Sequence, residues 1–551
     1  MTPALMWRRP GLAGAVVGLV FFWSSLTPSL VPRSWLLQGV IGGVTAFIGY
    51  CAGTLVWAPV RWALGGRYPS TRARTYGWRI FAVAGTLITL PLAWIESVRM
   101  QGDLRRLTGL PPESDWIIPL VLLVAAVVGA GLLLAARAVR LGTLALIQLL
   151  DRFVPRGLAY LGGLALSAVI LAAALKGVVY DTVLAVADRT SAAANAGTLP
   201  GIARPGSPFV SGSPASAVGW ASLGAQGRNF TATAPSRERI SAFTGRPALD
   251  PIRVYVGMPH KVGHQEFTDE ARLAVRELER TGAFGRAVLT VAGTTGSGWL
   301  NPRISEPLEF MYGGDTAIAA LQYSYLPSWA SFLVDRDRAA RATAALIREV
   351  RAKLETLPPG GRPRLLVAGE SLGSYGVESA FAGLDDLLAR TDGALLVGPP
   401  NVNPIWRTII AGRDPGSPVW RAVYDRGRAV RFAQFPGDLA AAGRERPRVL
   451  YLQNASDPVV WWSPELLFQR PDWLDLPRGP DVSADVRWFP LVSFWQTTVD
   501  LMLAYGPPAP HGHEYGTNAV EGWAAIAGPD GWTTGDTARL KAMVESEPKP
   551  Y

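Results

Sequence analysis

Five apolar stretches follow one another at the start of this chain, at roughly 11–31, 36–58, 80–98, 116–136 and 160–187. Each approaches or exceeds the ~20 residues a helix needs to cross a bilayer, since it rises ~1.5 Å per residue against ~30 Å of hydrocarbon. Five in series cannot all be hidden in one water-soluble core. The sequence therefore predicts a multi-span α-helical membrane domain over residues 1–189, with about five helices. The first stretch follows Arg8-Arg9 as a signal peptide would. A second apolar stretch comes at once and no small-residue cleavage site intervenes, so the first is read as a retained helix.

Charge gives the domain a direction. The N-terminus and the loops after the second and fourth stretches carry Arg8, Arg9, Arg61, Arg67, Arg72, Arg74, Arg79, Arg137, Arg140, Arg152 and Arg156. The opposite loops carry Arg33, Arg99, Arg105 and Arg106. Arginine-rich loops stay in the cytoplasm. The chain is thus expected to be a multi-pass cell-membrane protein with its N-terminus cytoplasmic and everything after about 190 extracytoplasmic.

The formal net charge of +10 does not mark a nucleic-acid binder. Residues 1–187 hold 16 basic and 6 acidic residues, and the remainder holds 37 of each. The excess belongs to the apolar third, so a basic groove elsewhere is unsupported and nucleic acid is not an expected partner. Cys51 is the single cysteine, which excludes an intramolecular disulfide and a thiolate metal cluster. The apolar stretches hold almost no ionisable residues beyond Lys176 and Asp181, which argues against a transport pathway.

Residues 190–250 are rich in Gly, Pro, Ser and Ala and read as a linker or collar. From 251 to 551 the pattern changes. Short aliphatic runs at Ile252–Val256, Arg286–Ala292, Arg364–Ala368, Ala394–Val397 and Val449–Gln453 alternate with helical patterns near 266–281, 333–356 and 374–390. That alternation predicts an α/β domain, a mainly parallel sheet with helices on both faces.

Within it, Gly369-Glu370-Ser371-Leu372-Gly373 fits G-x-S-x-G between a strand and a helix. A serine on so sharp a turn is held in a strained conformation, and side chains two positions to either side would collide, so glycine stands there. A serine hydroxyl needs a base to become a nucleophile. Asp457, after the strand at Val449–Gln453, is the candidate acid, in preference to Asp438 and Asp485. His511-Gly512-His513 supplies the base. His513 is favoured because Gly512 lets a tight loop present it, with His511 as the alternative. His260 and His264 precede the serine, the wrong order for such a site. The oxyanion would be met by the backbone N–H of Leu372 and by that of Thr294 or Thr295 in the loop Gly293-Thr294-Thr295-Gly296-Ser297-Gly298-Trp299. Trp299, Trp461 and Trp462 are candidates for an acyl pocket. Neither a metal nor a cofactor is implied.

These residues resemble the α/β-hydrolase superfamily. Their pairing with a multi-span N-terminus resembles the bacterial α/β-hydrolases with an integral-membrane N-terminal domain, known mainly from actinobacteria. The resemblance covers roughly 10–215 as membrane domain and 235–540 as catalytic domain. It implies Ser371 as nucleophile, Asp457 as acid and His513 as base. The chain departs from common lipases in lacking His-Gly-Gly-Gly at the oxyanion loop. The expected activity is that of a membrane-anchored serine hydrolase, esterase- or lipase-like, acting on acyl-ester or lipid substrates. A cell-envelope acyltransferase would use the same residues, and a non-catalytic membrane binding or scaffold protein is the reading of another class. The sequence does not specify an oligomeric state.

Overall fold

The computed structural model describes residues 11–63, 70–112, 117–258, 267–440 and 446–549. Arg8, Arg9, Arg67, His260 and His264 lie outside the described residues. The chain forms two compact units. One comprises Met1–Ala185, Ser463–Leu474 and Pro480–Pro507. The other comprises Val186–Trp462, Asp475–Gly479 and Pro508–Tyr551.

The first unit is helical. Its N-terminal part contains α1 (Leu12–Leu26), α2 (Trp35–Ala63), α3 (Thr71–Leu107), α4 (Ile118–Leu150) and α5 (Arg156–Ala196), the last running on into the second unit. Four of these, α2 to α5, are long and apolar enough to cross a membrane. The first expected span is cut short. With 15 residues, α1 is ~22 Å long and falls short of the ~30 Å of hydrocarbon. Its end is set by Pro28, which disfavours helical geometry at the preceding residue, and Thr27 is indeed extended (φ −60°, ψ 150°). Residues 137–150 continue α4, so Arg137 and Arg140 sit on a helix.

Small residues let α1 and α2 approach closely. A Cβ on Gly18 would meet the Ala46 carbonyl oxygen at 2.7 Å, and one on Gly49 would meet that of Val17 at 2.8 Å. Such contacts drive helix association where lipid offers no hydrophobic gain. The turn between α1 and α2 also holds part of the late segment. Asp500, at the end of the helix Val492–Asp500, accepts from Ser29 Oγ at 2.8 Å and from the Leu30 N–H at 3.0 Å. Gln496 Nε2 donates to the Thr27 carbonyl at 2.9 Å.

The second unit is built on seven strands: β1 (Ile252–Val256), β2 (Val288–Gly293), β3 (Thr316–Leu321), β4 (Arg364–Glu370), β5 (Gly393–Val397), β6 (Val430–Ala433) and β7 (Val449–Leu452). All pair in parallel, in the order β1-β3-β2-β4-β5-β7-β6. Parallel sheets survive only when covered on both faces, and nearly every strand residue is buried. The helices α6 (Thr268–Arg280) and α8 (Arg336–Glu355) pack on each other, as do α7 (Pro302–Met311) and α10 (Asn518–Ala527); α9 (Leu372–Glu378) follows β4 and packs on α8. Leu308, Phe310, Leu366, Leu395, Leu450 and Trp523 belong to one core under α7 and α10. The helix expected over 374–390 is two, Leu372–Glu378 and Leu384–Arg390, broken at Gly383. Strands β3 and β6 were not foreseen. The central strand of the seven is β4, so its carboxyl end opens at the middle of the sheet, where such folds place their sites.

Candidate active site

Ser371 sits at the tip of β4, between Glu370 and the first residue of α9. Its backbone is at φ 53°, ψ −124°, a conformation that costs a side-chain-bearing residue ~1–3 kcal/mol. The surroundings enforce it. The Ser371 N–H donates to the Val397 carbonyl at 2.9 Å, and Ser374 Oγ donates to the Ser371 carbonyl at 2.7 Å. The flanking glycines are required by close approach. A Cβ on Gly369 would lie 2.3 Å from the Gly373 carbonyl carbon, and one on Gly373 would lie 2.2 Å from the Gly293 carbonyl oxygen. The turn is thus wedged against the loop that follows β2.

Asp457 and His513 come together from the loops after β7 and before α10. His513 Nδ1 lies 2.6 Å from Asp457 Oδ2. The second carboxylate oxygen, Oδ1, accepts from the Val459 N–H at 2.8 Å. Both residues are buried, His513 at 1% exposed. The acid loop also grips the histidine loop. Asn454 Nδ2 donates to the carbonyls of Gly512 at 2.9 Å and Glu514 at 3.1 Å, and the Gly512 N–H donates to Ser456 Oγ at 2.9 Å. Gly512 adopts φ 57°, which the tight loop needs. His511 is placed otherwise: its carbonyl accepts from the Glu514 N–H, and the bond to Asp457 is made by His513. Asp438 accepts from the N–H groups of Gln434 and Phe435, and Asp485 belongs to the helical unit.

Both the imidazole and the serine turn meet the end of β5. A Cβ on Gly398 would meet His513 Cε1 at 2.4 Å, and the residue before it, Val397, holds the Ser371 N–H. Burial alone lowers the His513 pKa. The Asp457 carboxylate, with Glu370 and Glu514 behind it, outweighs that and holds it above the ordinary value.

The loop after β2 places its two threonines differently. The Thr295 N–H is taken by the Trp299 carbonyl at 3.0 Å, which closes the loop on itself. Thr294 is fixed through its side chain, Oγ1 donating to the Leu321 carbonyl at 3.0 Å. Leu372 is the first residue of α9, where helix N–H groups have no partner in their own helix. Of the tryptophans, Trp461 is packed under the acid loop, with Nε1 on the Ala455 carbonyl at 2.8 Å and its ring against Trp406. Trp462 meets Phe332 edge-on. Trp299 lines a cavity of ≈ 30 Å³ together with Thr295, Asn301, Glu370 and Trp523. At ~10–15 Å³ per water molecule this holds only a few waters, and no acyl chain.

Two contributors were not foreseen. Tyr515 donates its hydroxyl proton to Asp457 Oδ2 at 2.6 Å and accepts from the Asn454 N–H at 3.2 Å. Glu370 is buried beside the histidine loop. Both lie next to recognised residues, but only tertiary packing shows their direction. Removing the phenol leaves a buried carboxylate oxygen with one donor fewer. Tyr515→Phe is expected to lose about 1.5–3 kcal/mol of stability, the worth of a hydrogen bond to a charged group. Thermal unfolding beside wild type checks it.

A seven-stranded parallel sheet covered on both faces, with a serine on a strained strand-to-helix turn at its centre, defines an α/β-hydrolase architecture. The chain belongs to the alpha/beta-hydrolase family: the pattern described as "Alpha/beta-hydrolase family" matches residues 252–540, and "Alpha/beta-hydrolase family N-terminus" matches residues 26–235. No curated protein and no solved structure matches the chain.

Proposed function

We propose that this protein is a membrane-anchored serine hydrolase that cleaves acyl esters through an acyl-enzyme. The observation that carries the reading is the 2.6 Å contact of His513 with Asp457, on loops of the same sheet whose central strand ends in Ser371 at φ 53°. His513 Nε2 takes the proton of Ser371 Oγ as the oxygen attacks the ester carbonyl, and Asp457 at Nδ1 stabilises the imidazolium. The N–H groups of Leu372 and Thr294 receive the oxyanion. Collapse passes the proton from His513 to the departing alcohol and leaves the acyl group on Ser371. Water, activated by the same imidazole, then releases the acid. The test is fluorophosphonate labelling of the full-length protein in detergent micelles, with turnover of an acyl-ester panel. Labelling at Ser371 with release of free acid is the expected result. Acyl groups passed to added alcohol in preference to water would reassign the activity to transfer.

We further infer that the α/β unit lies outside the cytoplasm. With α1 too short to count, α2 to α5 still return the chain to the side of Arg33, Arg99, Arg105 and Arg106. The opposite side carries Arg61, Arg72, Arg74, Arg79, Arg137, Arg140, Arg152 and Arg156 and is the more basic, even with Arg8 and Arg9, which precede α1, counted beside Arg33. A cysteine at exposed Ala203, in a Cys51→Ser background, is expected to react with a membrane-impermeant maleimide on intact cells. Reaction only after permeabilisation reverses the assignment.

A further inference from the structure

Glu370 is the one residue of the Gly369–Gly373 turn that the chemistry above leaves unused. It is next in the chain to Ser371, yet its side chain is 4% exposed. Acidic side chains are seldom buried so fully without partners. Its carboxylate accepts from Asn301 Nδ2, at 3.2 Å to Oε2. Asn301 is itself fixed as the N-cap of α7, its Oδ1 accepting from the Arg303 N–H at 3.0 Å. Glu370 pairs with Val397 of β5, and the next residue, Gly398, abuts the imidazole, where a Cβ would lie 2.4 Å from His513 Cε1. The charges that act on Glu370 are those of His513 and Glu514 from the loop before α10 and of Asp457 from the loop after β7. Arg303 lies 4.0 Å from Glu514. The cavity beside Trp299 reaches Glu370 as well.

We propose that Glu370 is a positioning residue of the hydrolase reaction: a second carboxylate that, with Asp457, supports the charge His513 acquires when it takes the serine proton. The proposal rests on the reading of Ser371, His513 and Asp457 given above. Asp457 acts through its hydrogen bond at Nδ1. Glu370 acts through space, from the strand that carries the nucleophile. Its own ionisation is balanced near neutrality. Burial pushes it up to about 7, while His513 and the Asn301 amide act against that rise. A charge arriving on His513 therefore favours the ionised form of Glu370, and the two groups titrate as a pair. A wholly exposed carboxylate would be screened by water, and one buried without a donor would stay protonated. The placement of Glu370, buried but held by the Asn301 amide, avoids both.

The test is the second-order rate of fluorophosphonate labelling of the full-length protein in detergent micelles, followed across the neutral pH range. Glu370→Gln keeps the shape and the Asn301 contact but removes the charge. Its plateau rate is expected to fall ~3–10-fold, and its acidic limb, set by His513, to move ~0.5–1 pH unit lower, one unit being tenfold in imidazolium stability. An unchanged rate overturns the proposal. A lower rate with an unmoved limb also overturns it, because a merely structural role would look like that. Should Glu370→Gln fail to fold, Asn301→Ala carries the test. It removes a donor that favours the ionised carboxylate, so the limb is expected to move in the same direction by a smaller step, and an unmoved limb counts against the proposal. Wild-type protein that takes no label overturns both this proposal and the hydrolase reading. Wild type that labels, with Glu370 variants matching it, overturns this one alone.

Discussion

Ser371→Ala protein is expected to take up no fluorophosphonate and to lose about 10⁵–10⁶-fold in ester turnover, the scale seen when a serine nucleophile is removed from an acid-base site. The loss should come without unfolding. Alanine keeps the Cβ and therefore the same strained φ of 53°, and the N–H of position 371 still reaches the Val397 carbonyl. The melting temperature is expected to stay close to that of wild type. Ser371→Gly is the informative contrast. It too is inactive, but glycine occupies positive φ without penalty, so it should be more stable by about 1 kcal/mol. A variant more stable than wild type and dead in the assay shows that strain is maintained for the nucleophile and not for the fold. Persistent labelling of Ser371→Ala would remove the nucleophile from position 371.

Asp457→Asn is the second change of large effect, and its cause is the tautomer of His513. Three donors converge on this carboxylate: the Val459 N–H on Oδ1, and the Tyr515 hydroxyl and His513 Nδ1 on Oδ2. An asparagine has one acceptor oxygen. With that oxygen kept by Val459, an NH₂ group faces Tyr515 and His513. The hydroxyl can turn to accept, and the imidazole can comply only by carrying its proton on Nε2. In that form it cannot take a proton from Ser371. A fall of about 10⁴-fold in turnover is expected with the geometry intact. Steady-state turnover of the panel esters measures it, with thermal unfolding as the control for folding. A variant within tenfold of wild type would mean that Asp457 is structural and that the base is oriented by another group.

The strands readable in the sequence were those rich in valine, leucine and isoleucine, such as Leu365-Leu366-Val367. The two that escaped show why. β3 reads Thr-Ala-Ile-Ala-Ala-Leu, and alanine has little strand preference of its own; it lies there because it fills the space between β1 and β2. β6 carries Arg431 in a four-residue edge strand, too short for a period to emerge. The end of α1 was within reach, since Pro28 stands in the first apolar stretch, but hydropathy continues past it through Leu30 and Val31 and hides the break.

At the site, what could be read was what is local. Glycine at 369 and 373 follows from the turn itself, and the order serine, aspartate, histidine is a property of the chain. What sets Thr295 apart from Thr294 is not local. It depends on the Trp299 carbonyl closing back onto one N–H. Tyr515 and Asn454 escaped for the same reason: neither has a spacing signature, and each acts by meeting a loop some 60 residues away in sequence.

The segments Ser463–Leu474 and Pro480–Pro507 belong to the helical unit, although Asp457 precedes them and His513 follows. During biogenesis the ribosome thus delivers the acid, then a stretch whose packing partners were synthesised at the very start, and only then the base. The stretch that joins Asp457 to His513 is thus anchored by contacts between the first and last parts of the polypeptide. In a chain whose first helices have not formed, this late stretch lacks the partners it meets through Asp500 and Gln496, and Asp457 and His513 are joined only by an unanchored loop.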